Sequence, residues 1–304
     1  MKKTLPLLLI MLPSISMAQE YLKQFPLQQQ TKYFDFHFKR NPARVAAIAR
    51  FADGFVKVAN RDFFKADFDY PIRVLVLEDR ATFQQFLRRE FRVNDPPGFG
   101  IYLPPPHKLF ATYENSGLGT FAHEIMHPLV ERNLKDRPVW AREGIPGFFE
   151  KFYGYWQQDD LRIHWGFQNP WRIQALGTNL VRLDLKAILA NTDYQTEYNQ
   201  SDLRMVSMFL WEQGKFKRFL QLIEKGEKNG YKSYFEAAME MPIDGVLPLW
   251  QSYLRDVAAH EKQILRLPPS TILDDERAFM SFDSLHRLKV AALKTTTNAV
   301  LSDK

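Results

Sequence analysis

The chain has no cysteine. No disulfide can brace the fold and no thiol can carry a lipid anchor, so stability has to come from a packed core. Long apolar runs are missing too. The N-terminal stretch from Leu5 to Ser16 is interrupted by Pro6 and Pro13, and it stops well short of the ~20 residues a membrane span needs. Blocks of consecutive like charges are also lacking. Basic residues are interleaved with acids and a formal charge of +6 over 304 residues is mild, so nucleic acid is not an expected partner. No internal repeat or low-complexity tract stands out. Aromatics, by contrast, are plentiful, and 25 Phe supply ample material for a core.

The first residues have a pattern of their own. Met1-Lys2-Lys3 is a short basic start, the interrupted apolar run follows, and Ser16-Met17-Ala18 is a small-x-small site. This is the layout of a secretory signal peptide over residues 1–18. Cleavage after Ala18 is expected, giving a periplasmic or secreted protein with no stable membrane anchor. Loss of this segment removes two lysines and no acid, which lowers the formal charge from +6 to +4.

Hydrophobic spacing then suggests the elements. Residues 19–30 are polar and Gln-rich and read as an extended lead-in, while Phe34, Phe36 and Phe38 alternate with strand periodicity. Asn41-Pro42 offers an N-cap and a first-turn proline for a helix whose face carries Val45, Ile48, Ala49, Ala52, Val56 and Ala59. A strand is predicted from Ile72 to Leu77 and a helix from Asp79 to Phe91. Two short strands, Ile101 to Leu103 and Lys108 to Tyr113, follow around Pro104-Pro105-Pro106. Beyond Glu150 the pattern turns helical, with a helix expected over 202–213 and stripes such as Phe216, Phe219, Leu220 and Ile223. His164 reads as a packed residue on an alternating strand, or as a group behind a site. The Leu267-Pro268-Pro269 break leads into what reads as a polar tail over 266–304.

The chemistry-bearing stretch is Thr120-Phe121-Ala122-His123-Glu124-Ile125-Met126-His127-Pro128. On a helix, positions i and i+4 share a face, so His123 and His127 can point ring nitrogens at one ion, which is half of a tetrahedral zinc site. Glu124 lies a third of a turn away, where a general base can reach a water on the metal. A catalytic zinc takes three protein ligands and keeps the fourth position open. Sixteen residues after His127 comes Glu143, within Arg137-Pro138-Val139-Trp140-Ala141-Arg142-Glu143-Gly144.

His123-Glu124-x-x-His127 followed by Pro138-x-Trp140-x-x-Glu143-Gly144 and Glu150 resembles the gluzincin metallopeptidases, in particular the peptidase MA-like family. The resemblance spans the chain to about Leu265, with these two blocks carrying it. It implies an α+β, zincin-like fold, with a small mixed sheet, the HExxH helix and a mainly helical C-terminal half. It divides residues 19–265 into an α/β half, 19–133, and a helical half, 134–265. It also implies an exported zinc metallopeptidase that hydrolyses a peptide or protein substrate through a zinc-bound water. His123, His127 and Glu143 become the metal ligands, Glu124 the base, and Glu150 an acid that orients a ligand. The segment Tyr194 to Ser201 is similar to the family's Tyr-x-x-Ser/Ala segment, which makes Tyr198 the candidate oxyanion donor and Tyr194 its reserve. The chain departs from the family at Pro128, which removes the helical bond to the carbonyl of Glu124. It departs again at Gly144-Ile145-Pro146-Gly147, where the helix is expected to start later or bend. A secreted binding or scaffold protein that retains the fold is the alternative.

Overall fold

The computed structural model describes residues 17–68, 70–105, 107–134, 139–190, 199–226 and 230–288. Its first layer is a five-stranded mixed sheet in the order β1-β2-β3-β5-β4. β1 (Leu27–Gln30) pairs antiparallel with β2 (Phe34–Phe38), and β2 runs parallel to β3 (Ile72–Leu77) through α1 (Pro42–Asp62). After α2 (Arg80–Phe91), β4 (Gly100–Leu103) forms the sheet edge, antiparallel to β5 (Leu109–Tyr113), which lies parallel to β3.

Strand alternation assigns the two faces. Phe34, Phe36, Phe38, Val74, Val76 and Phe110 pack against α1 and the helix that bears His123 and His127, α3 (Leu118–Asn133), in the larger core. The intervening Leu75, Leu77, Leu109 and Ala111 face α2 through Phe83, Phe86 and Leu87. The lead-in expected to be merely extended is part of this second core. Residues Met17–Gln24 form a 3₁₀ turn, and Tyr21 and Phe25 bury their rings edge-on to Phe86. Apolar spacing too short for periodicity hid this element.

Asn41 precedes α1 as expected but does not cap it. Its backbone is left-handed, with φ 56°, and its amide turns away to donate to Glu114. The missing cap is offset by Pro42, which fixes the first helical φ.

The chain continues through α4 (Val139–Phe149), the hairpin β6 (Tyr153–Gln157) and β7 (Asp160–His164), and α5 (Pro170–Leu176). Next come α6 (Leu185–Ala190), α7 (Gln200–Glu212), α8 (Phe216–Lys225), α9 (Tyr231–Met239), α10 (Ile243–Ala259) and α11 (Glu261–Ile264). Asn199 caps α7 through the amides of Ser201 and Asp202. The segment expected to trail off after 265 instead supplies β8 (Thr271–Leu273), paired parallel with β6, and α12 (Glu276–His286), capped by Asp275 and buried at Phe279. Its polar composition reflects a helix with one narrow buried face. Among the described residues no helix is long and apolar enough to cross a membrane.

Candidate metal centre

α3 enters the core directly after β5, with Gly117 at φ +91° making the turn that a side chain would strain. Pro128 does not end this helix. It leaves the carbonyl of Glu124 without its intrahelical partner, yet the helix runs on to Asn133, whose side chain bonds Leu129 and the 65–66 backbone. The Glu124 carboxylate remains beside the histidines, with Oε2 3.8 Å from His127 Nε2.

α4 likewise runs unbroken through Pro146, contrary to the expected late start or bend. Packing overrides the lost hydrogen bond. Gly144 has no Cβ, which lets the carbonyl of Leu203 on α7 approach to 2.5 Å from where one would stand. Next to it, the carbonyl of Gly147 accepts from the fully buried Arg204, Nε to O 2.7 Å. This clamp between α4 and α7 fixes the turn that carries Glu143.

Glu143 Oε2 lies 3.3 Å from His123 Nε2 and 4.0 Å from His127 Nε2, with the three side chains between 7% and 13% exposed. One donor atom from each residue falls within 4.8 Å of the others, a group that could hold a metal ion. A tetrahedral ion with bonds of ~2.0–2.1 Å sets its donors about 3.3 Å apart, so the donor set needs only a small contraction to fit.

Behind the three donors a chain of contacts closes on itself. His123 Nδ1 is 2.9 Å from Glu150 Oε1, with the oxygen off the N–H line. Glu150 accepts from Arg172 through both oxygens, Nε to Oε2 at 3.0 Å, and from Asn169 Nδ2 at 3.0 Å. Arg172 Nη2 also donates to Gln200 Oε1 at 2.9 Å, and Gln200 Nε2 returns the contact to Glu143 Oε2 at 2.9 Å. His123 is therefore held by Glu150 at the end of α4, which Arg172 of α5 braces, and the Glu143 carboxylate by Gln200 of α7. Spacing could not have found Asn169, Arg172 or Gln200; Asn169-Pro170 reads only as a helix start.

The electrostatics divide the residues. Burial pushes the Glu124 carboxyl up to about 7, with the charge of Glu143 adding to it, while the amide of Tyr102 on β4 favours its ionised form. Burial pushes His127 down to about 4, which keeps a ring lone pair available. Burial alone would lower His123, but its contacts with Glu143 and Glu150 outweigh it and bring the ring up to about 10. Burial opposes ionisation of Glu150, and the charges and hydrogen bonds of Arg172 and His123 together more than offset it, holding that carboxyl well below the usual range.

His123 and Glu124 line a cleft of about 640 Å³, walled also by Phe99, Gly100, Thr120, Trp171, Arg172 and Ser270 among others. His164 is elsewhere, exposed on β7, stacked on Phe279 and lining a separate hollow. Tyr194, Tyr198 and Pro138 lie outside the described residues. Tyr102 was not anticipated. Its ring stacks at 6.0 Å on His127 and its hydroxyl donates to Glu131 at 3.2 Å. In comparisons with known proteins, the chain matches no family model and no curated protein matches it.

Lys151, next to Glu150, is 3% exposed, donates to the carbonyl of Pro268 and has no carboxylate partner among the described residues. Burial pushes its amine down to about 7, and Arg204 adds to the effect. The unfolded chain binds this proton up to the ordinary lysine value of 10.5, so protonated Lys151 costs stability below about pH 7 and the cost fades as pH rises toward 10.5. Lys151→Met is expected to raise stability by on the order of a few kcal/mol at pH 6 and by much less near pH 10. Urea denaturation at the two pH values measures the difference; an equal effect at both would contradict it.

Proposed function

We propose that the protein is a zincin-like hydrolase and, within that class, an exported zinc metallopeptidase of the gluzincin type. One observation carries this reading: His123, His127 and Glu143 converge on one point, and that group borders a cleft lined by His123 and Glu124. Two imidazoles and one carboxylate are the donor set of His₂Glu catalytic zinc sites. Bordering the cleft, β4 is a sheet edge with an unpaired side among the described residues, which suits an extended peptide laid alongside it.

Zinc bound there would supply Lewis acidity, lowering the pKa of a coordinated water toward ~7 and polarising the substrate carbonyl. The chain's own residues do the rest. Glu124, ionised, accepts the proton of the attacking water and passes it to the leaving nitrogen. Glu150 orients His123 through Nδ1, so that Nε2 faces the donor cluster, and Arg172 keeps Glu150 charged. Gln200 orients Glu143 by donating to the oxygen nearest the histidines.

Two measurements test the reading. The purified mature protein should contain one zinc per chain and hydrolyse a broad peptide library, with activity abolished by a chelator and restored by zinc. Metal-free protein with the parent's full activity would overturn it. Export follows from residues 1–18, and N-terminal sequencing of the mature protein should begin at Gln19. Soluble protein that retains Met1 would contradict that part.

A further inference from the structure

Two aromatic residues break the burial pattern of the rest. Among the described residues the exposed Phe and Trp are Phe99 and Trp171, at 48% and 47%. One stands in the loop entering β4 and the other in the first turn of α5, yet their rings meet with centroids 6.4 Å apart, tilted by 41°. Both wall the cleft that contains His123 and Glu124. Each ring is backed by a cation, Arg80 at 5.8 Å from Phe99 and Arg172 at 3.7 Å from Trp171. A guanidinium stacked on one face holds a ring in place without covering the other face.

Exposed aromatic surface beside a polar, metal-competent floor marks a ligand contact. Its neighbours leave room for one. Gly98 and Gly100 flank Phe99, so no side chain shields the ring from the cleft on its own strand. The occupant is extended backbone, because β4, an edge strand among the described residues, begins beside this aromatic wall and offers main-chain donors and acceptors that a sugar ring cannot match.

We infer that Phe99 and Trp171 form a specificity subsite that takes a bulky apolar or aromatic side chain of an extended peptide lying along β4. This inference rests on the peptidase reading, so its test separates binding from turnover. The zinc-loaded Glu124→Gln protein is titrated by calorimetry with blocked tetrapeptides acetyl-Ala-Ala-X-Ala-amide, where X is Phe, Leu, Gly or Glu. The Phe peptide is expected to bind at least about tenfold tighter than the Gly peptide, the scale of discrimination that apolar pockets reach. Adding Trp171→Ala or Phe99→Ala should bring the two within about threefold and leave the Gly peptide unchanged. Trp171→Phe should retain the preference, which guards against mere misfolding, as does an unchanged zinc content. Equal binding of all four peptides, a preference that survives both alanine changes, or tighter binding of chitotriose than of any peptide would each overturn the subsite. The same peptides are then offered to the parent for hydrolysis. A binding preference without turnover overturns the peptidase reading alone, whereas turnover without preference overturns the subsite alone.

Discussion

Glu124→Gln is expected to take up zinc about as well as the parent and to lose hydrolysis by roughly 10²–10⁴, the range of a missing acid–base group. The amide keeps the carboxylate's shape and cannot accept the proton. Glu124 stands 3.8 Å from His127, outside the three-donor group, so the metal should not feel the change. The base works only when ionised. Because burial pushes its carboxyl up to about 7, kcat/KM should fall on the acid side of a limb at or below that value, a bound cation drawing the limb downward. Zinc analysis beside a pH profile decides the matter. If Glu124→Gln hydrolyses peptides at the parent's rate, the residue is not the base; if the parent itself has no turnover, the binding-protein reading takes over.

Glu143→Ala is expected to weaken zinc binding by roughly 10²–10⁴. A closed site binds zinc with about 10–16 kcal/mol, and one protein ligand in three carries on the order of a third of it. His123 and His127 would be left to hold the ion from a single helix turn. Glu150→Gln makes the contrast, since it keeps the volume under Arg172 and removes only the charge behind His123; zinc affinity should fall about 10–100-fold, the usual scale for such a supporting group. Competition titration against a chromophoric chelator ranks the two. A reversed ranking would mean that Glu150 is the ligand and Glu143 the support.

Much of the donor set could be read because it is local. The i, i+4 pair needs only a helix, and Glu143 follows within one loop and one turn. The sheet was also readable where strands alternate, as at Phe34 to Phe38. Less readable were the prolines: Pro128 and Pro146 both argue for broken helices, and both helices continue because burial against neighbours outweighs one missing hydrogen bond. Of the support ring only Glu150 was legible, through the family resemblance. Glu150, Arg172 and Gln200 meet through the packing of α4, α5 and α7, and no spacing rule connects them. The segment after 265 escaped for a related reason, as β8 finds its place only once β6 exists.

That late strand has a consequence for the order in which the protein becomes finished. Ser270 Oγ donates to the carbonyl of Glu150 and accepts from the amide of Phe152, the Pro268 carbonyl receives Lys151 and Tyr153, and Pro269 and Ser270 wall the cleft. A polypeptide emerges from the ribosome with its N-terminus first. His123, His127 and Glu143 are therefore out more than a hundred residues before the segment that closes the wall beneath them. The cleft is completed only after Ser270 has emerged, and a nascent chain halted near Leu265 would carry every proposed ligand without the surface that shapes what they act on.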